Sequence, residues 1–154
     1  MARITVEKRQ ENKEKYDAIV LNCFFERGWD YITLNNMAKE FGIGKSSVQA
    51  YYPTKTDFGE ALRGKVFPVL MTQLDFTNPD TFKASWHNCL NEKVFKTVVH
   101  LLVSNATRED TSSMTVTGIQ RLQSLLTEKW GDKQQAIDAI YWVLGVSVVE
   151  LANG

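Results

Sequence analysis

Residues Leu34–Pro53 read LNNMAKEFGIGKSSVQAYYP, and the organisation of the chain follows from them. Thr33, just before this stretch, offers a side-chain oxygen suited to capping a short helix that runs to about Phe41. Gly42 suits a tight turn. A second short helix spans about Lys45–Tyr51 and must end near Pro53, whose ring pushes Tyr52 out of helical geometry. Two short helices that cross steeply need a small residue at their contact and a glycine or similar residue in the turn. Counting from Leu34, Ala38 is the fifth residue and Gly42 the ninth, while Met37, Phe41, Ile43, Val48 and Tyr51 fill the inward positions. The spacing predicts a helix-turn-helix.

Upstream, Tyr16, Ile19, Val20, Cys23 and Phe24 recur at the three-and-four spacing of one helix face. The segment Glu7–Lys15 alternates charge signs and reads as the solvated front of the same helix, with Gly28 as its stop. Downstream, Thr54 with Asp57 gives an acidic variant of the capping box. The helix it opens carries a stripe through Phe58, Ala61, Leu62, Val66 and Leu70, which Pro68 interrupts as either a kink or a restart. Asn78-Pro79-Asp80 opens a segment over about 80–90, followed by another over about 92–104. Arg108–Ser113 is a polar connection. Ile119, Leu122, Leu125 and Leu126 mark a helix ending near Trp130-Gly131, and Asp132 with Gln135 opens a last helix to about Ala152. No alternating strand is evident. The expectation is an all-α protein of about eight helices.

With 154 residues, 44% of them apolar and 23% charged, the chain has the composition of a folded domain, or of two small ones. The 18 basic and 18 acidic residues balance, which excludes a protein that coats nucleic acid or anionic membrane by bulk charge. The balance is a cancellation: through Lys65 there are 11 basic and 9 acidic residues, and beyond it 7 and 9. Cys23 and Cys89 fit no metal or redox spacing, and His87 and His100 have no neighbouring ligand set, so no metal is expected. Gly44-Lys45-Ser46 imitates the end of a phosphate-binding loop, but Lys39 stands where that loop needs its first glycine. An enzyme is not expected. The polar opening Met1–Asn12 and the short apolar run Ala139–Val149 suggest neither a leader nor a membrane span, so a cytoplasmic protein is expected.

Phe24-Phe25-Glu26-Arg27-Gly28-Trp29, Tyr31-Ile32-Thr33-Leu34, Ile43-Gly44-Lys45-Ser46-Ser47-Val48 and Tyr51-Tyr52-Pro53-Thr54-Lys55 follow in this order along the chain. Over about residues 10–65 this series resembles the opening of tetracycline-repressor (TetR) family regulators. The resemblance implies a helix-turn-helix DNA-binding domain over residues 1–53 and a helical ligand-binding and dimerisation domain over 54–154, linked by the helix from Thr54. It also implies a repressor that binds a palindromic double-stranded DNA operator as a homodimer and releases it on binding a small apolar or amphipathic inducer, with no other cofactor.

The same resemblance gives Thr33 a phosphate contact, Lys45, Ser46, Ser47 and Gln49 positions facing the major groove, and Tyr51 and Lys55 contacts to the DNA backbone. Their chemistry agrees: glutamine can read adenine bidentately, serine hydroxyls serve several base edges, and the lysines can neutralise phosphates. Gln49 and Ala50 replace the commoner aromatic residues, and Gly44 stands where a capping serine is frequent.

Farther along, Trp86, Cys89 and Phe95, with His87 and His100 for polarity, are candidates for an inducer pocket, against a plain reading as core. The last helix is apolar on nearly every side. It is either a central helix or half of a symmetric four-helix interface that would include Leu122, Leu126, Tyr141, Leu144, Gly145 and Val148, with Gly145 and Ser147 letting a partner approach. The rival to DNA binding is a helical sensor or adaptor whose helix-turn-helix pair meets protein.

Overall fold

Thr5 accepts a hydrogen bond from the Lys8 amide at 3.1 Å and so opens a long helix, α1 (Val6–Arg27), which Gly28 ends at a φ of 85°. This is the first element of a computed structural model that describes residues 3–110 and 113–154. After a short 3-10 turn at Trp29–Tyr31, Thr33 caps α2 (Leu34–Phe41) by accepting from the Asn36 amide at 3.1 Å. Gly42 closes α2 in the left-handed region, at φ 72° and ψ 32°. There its amide reaches Lys39 O, and the Ile43 amide reaches Ala38 O at 3.2 Å. That pair of bonds satisfies the carbonyls a helix end leaves unpaired. The helices α3 (Lys45–Tyr51) and α4 (Lys55–Glu60) follow. At the start of α4 the Asp57 carboxylate accepts from both the amide and the hydroxyl of Thr54, each at 2.8 Å.

Here the structure departs from the expected linking helix. Helix α4 ends at Glu60 and gives way to turns that include Gly64 at φ 75°. Pro68 then sits in the first turn of a new short helix, α5 (Phe67–Met71), where its missing amide costs nothing. Pro68 is a restart, not a kink.

The chain divides into two compact units, Met1–Gly64 and Lys65–Gly154. The segment Thr54–Gly64 falls within the first of these units. In the first unit the core is Val20, Cys23, Phe24, Ile32, Met37, Ala38, Val48, Tyr52, Phe58, Ala61 and Leu62, all buried.

The second unit contains α5, α6 (Pro79–Cys89), α7 (Lys93–Ala106), α8 (Ser113–Trp130) and α9 (Lys133–Ala152). Asn78 caps α6, its side-chain oxygen accepting from the Thr81 amide at 2.9 Å, with Pro79 in the first turn. Asp132 caps α9 by accepting from the amides of Gln134 and Gln135 at 2.9 and 3.1 Å. The connection expected at Arg108–Ser113 falls partly on residues 111 and 112, which lie outside the described residues. Nine α-helices and no strand occur among the described residues, one helix more than expected because the run from Thr54 is broken in two.

Helix α9 is, by length and composition alone, apolar enough to cross a membrane, with a mean hydropathy of 1.4 over its best window. Its apolar stretch is thus longer than Ala139–Val149 suggested. Ala136, Ala139, Ile140, Val143 and Ser147 form one buried stripe, and α6 and α8 are its chief neighbours. Each unit also holds one free, buried cysteine, Cys23 in the first and Cys89 in the second. Burial pushes both thiols above the usual cysteine range.

Candidate nucleic-acid interface

Helix α3 is seven residues long, and of these only Val48 is buried. Helix α3 packs against α2, in which Met37 and Ala38 are also buried and Phe41 is half-buried, as is Ile43 in the turn. Lys45, Ser46, Ser47, Gln49 and Ala50 are all exposed. One face of a short helix is therefore wholly committed to packing, and the rest presents a cation, two hydroxyls and a carboxamide. Those are the groups that serve phosphates and base edges in a major groove. Gly44 precedes α3 with no side-chain cap, as the absence of a serine there suggests.

The other site candidates of this unit are partly engaged. Thr33 is half-buried and uses its hydroxyl oxygen as the cap of α2. Lys55 is exposed, with Nζ 4.9 Å from the centroid of the Trp29 ring. Tyr51 is half-buried, and its hydroxyl accepts a hydrogen bond from Asn12 Nδ2 at 3.2 Å.

That last bond exposes a feature the sequence reading missed. The front of α1 is not only a solvated face. Arg9 Nη2 donates to the carbonyl of Ala50 at 2.9 Å, and its guanidinium carbon lies 4.5 Å from the centroid of the Tyr51 ring. Tyr16 stacks on Phe41 at 4.5 Å and meets Tyr51 edge-on at 5.2 Å. Lys13 pairs with Asp17 at 2.7 Å and lies 4.2 Å from the centroid of the Tyr52 ring. The Tyr52 hydroxyl donates to the same carboxylate at 2.5 Å. Burial and then that bond to Asp17 hold the Tyr52 phenol far above its ordinary value of 10.0. Positions 9, 12, 13, 16 and 17 share one face of a helix. The signal was present in the register, since these residues continue the stripe of Val20, Cys23 and Phe24 toward the N-terminus.

The five inducer-pocket candidates differ in their settings. Trp86 and Phe95 are fully buried. Their rings meet edge-on at 5.2 Å, with Phe82 alongside Trp86 at 5.9 Å. Cys89 is buried, its thiol directed to Gln73 O at 3.4 Å. His100 is exposed, and His87, also exposed, pairs with Glu150 at 3.4 Å. A surface cleft of about 120 Å³ lies at His87, lined further by Leu90, Asn91, Lys96, Glu150, Leu151 and Gly154, and it includes none of the other four candidates.

The interface candidates differ in exposure. Leu122 and Leu126 are buried within their own unit, at 7% and 0% exposure. Ser147 is likewise fully buried, accepting from Trp86 Nε1 at 2.8 Å, so it faces inward and not toward a partner. Leu144 is half-buried and Gly145 exposed. Tyr141 and Val148 are exposed at 71% and 51%, and Trp142 and Val149, which the sequence reading did not name, join them.

A family model described as the tetracycline repressor LuxT C-terminal domain matches residues 63–151, more than half of the chain. The chain belongs to the tetracycline-repressor family. The match lies almost wholly in the second unit, while the resemblance over about residues 10–65 lies almost wholly in the first. The two together span almost the whole chain. Membership identifies a transcriptional regulator, with α5–α9 as the family's C-terminal domain. No curated protein matches the chain.

Proposed function

We propose that this regulator binds a palindromic DNA operator as a homodimer and represses the genes it covers, releasing the operator when a small apolar or amphipathic ligand binds the C-terminal unit. The observation that carries the reading is the division of α3, with Val48 alone buried and Lys45, Ser46, Ser47 and Gln49 all exposed on a helix seated against α2. In a helix-turn-helix the second helix enters the major groove, and contacts from its start reach base edges. Gln49 would read a base, the serines would serve base edges or phosphates, and Lys45 and Lys55 would neutralise the backbone. A near-neutral chain is compatible with this, because the affinity comes from a small head used twice.

The dimer is supported by the face of α9 that carries Tyr141, Trp142, Val148 and Val149, all exposed apolar residues on one helix. Two-fold pairing would place two reading heads against half-sites one helical turn apart, about 34–36 Å. The ligand response rests on the family of the C-terminal unit. Such a ligand acts by binding one of two states more tightly.

Selection of bound duplexes from a random DNA pool tests the whole reading. The expected result is an inverted repeat with half-sites about 10 base pairs apart, or a multiple of that, bound less tightly as salt rises. Failure to enrich any sequence, with no salt-dependent binding, overturns it and favours a protein-binding adaptor.

A further inference from the structure

Helix α3 is too short to hold itself together. Seven residues fall far below the length at which an isolated helix persists in water, and no side chain caps its start. Its only buried residue, Val48, secures the middle. The last turn, where Gln49, Ala50 and Tyr51 lie, needs another anchor, because the final carbonyls of a helix have no partner within it. The anchor comes from α1. Arg9, 41 residues earlier, donates to the Ala50 carbonyl at 2.9 Å while its guanidinium carbon lies over the Tyr51 ring, 4.5 Å from the centroid. Asn12 donates to the Tyr51 hydroxyl one turn farther along. Arginine suits this double task, since a planar guanidinium can stack by its face and donate from its edge at once; a lysine ammonium cannot.

We infer that Arg9 is a positioning residue for DNA reading: from α1 it fixes the last turn of the recognition helix and thereby the direction in which Gln49 is presented. The inference rests on the proposed DNA-binding function. Its chemistry differs from that of a phosphate contact. A phosphate contact depends on charge and strengthens binding to every sequence, whereas a positioning contact depends on shape and strengthens binding to the right sequence.

The test uses the full chain with three substitutions, Arg9→Ala, Arg9→Lys and Asn12→Ala. The DNA probes are the duplex that the wild type selects from a random pool and a scrambled duplex of equal length. Amide hydrogen exchange across α3 is measured in the free protein, and circular dichroism checks that each variant remains folded. Both Arg9 variants should speed exchange at the end of α3 and weaken binding to the selected duplex, each by roughly tenfold. Binding to the scrambled duplex and the salt slope should stay unchanged. Asn12→Ala, which alters no charge, should produce a smaller loss in the same direction, and it serves if Arg9→Ala does not fold.

Wild-type behaviour in Arg9→Lys, or a salt slope reduced by about one in Arg9→Ala with exchange unchanged, overturns the inference and makes Arg9 a charge contact. Unchanged exchange in both Arg9→Lys and Asn12→Ala overturns it as well. If the wild type selects no DNA, the proposed function fails and takes the reading role with it, and that outcome is separate because the exchange experiment contains no DNA.

Discussion

The indole N–H of Trp86 donates to the hydroxyl oxygen of Ser147 at 2.8 Å, and both residues are fully buried. Ser147 in turn donates its single proton to Val143 O at 2.6 Å, so its lone pair is free to receive the indole. The pair ties α6 to α9 across 61 residues. Ser147→Ala leaves the indole N–H buried without an acceptor, which should cost about 1–3 kcal/mol in denaturant unfolding. In the cycle with Trp86→Phe the two changes should not add, because the donor is gone in both the single and double variants. Strict additivity would mean that the bond contributes nothing.

Tyr52 gives the protein a limit at high pH. Its phenol is held protonated by burial and by Asp17, so its pKa in the folded state lies above the ordinary value of 10.0. The stability it contributes is fully present below pH 10 and is lost as pH rises above that, because the unfolded chain ionises first. Tyr52→Phe should cost about 1–3 kcal/mol at neutral pH through the lost bond to Asp17. It should also flatten the alkaline decline by about 1.4 kcal/mol per pH unit, the slope of one proton. Urea titrations from pH 8 to 12 compare the two proteins, and parallel curves would contradict the assignment.

How far the sequence carried is plain from the helix-turn-helix. Thr33, Ala38, Gly42 and Val48 do what their spacing announced, because caps, turns and a small residue at a crossing depend on near neighbours alone. The Arg9–Ala50 and Tyr52–Asp17 bonds join residues 41 and 35 positions apart, and no local pattern specifies which distant carbonyl an arginine will find. The same limit applies to the apolar faces of α8 and α9. Periodicity identifies a helix face as apolar, but whether its own unit or a second copy covers that face depends on packing. The run from Thr54 misled for another reason: its stripe continued through Gly64, whose positive φ permits a break that apolar spacing does not record.

The exposed face of α9 separates assembly from folding. Val148→Asp and Tyr141→Asp alter residues with half or more of their surface in solvent, so the monomer should lose no more than about 0.5 kcal/mol. A charge placed in a paired apolar interface should nonetheless raise the dimer dissociation constant at least tenfold, about 1.4 kcal/mol or more. Sedimentation at micromolar concentration reads the difference. Leu126→Asp is the contrast, since it buries a charge in the unit's own core and should unfold it. Unaltered sedimentation of both surface variants would place the interface elsewhere.

On DNA, Gln49→Ala and Lys55→Ala should behave differently. The first should relax sequence preference at one or two operator positions, at about 1–3 kcal/mol for a bidentate contact. The second should weaken selected and scrambled duplexes alike and lower the salt slope by about one. Affinity measured across a salt series with both duplexes separates them, and wild-type binding by both variants would remove the contact assignment.

The two buried cysteines turn out to be a pair of clocks. Cys23 is 6% exposed and Cys89 8%, so a thiol reagent reaches each chiefly when its own unit opens. Each compact unit therefore reports its own opening in the unaltered chain, as a rate where labelling outpaces reclosing and as an open population where it does not. Peptide-resolved labelling times with and without DNA, or with and without a candidate ligand, would show which unit each partner steadies and which it leaves untouched.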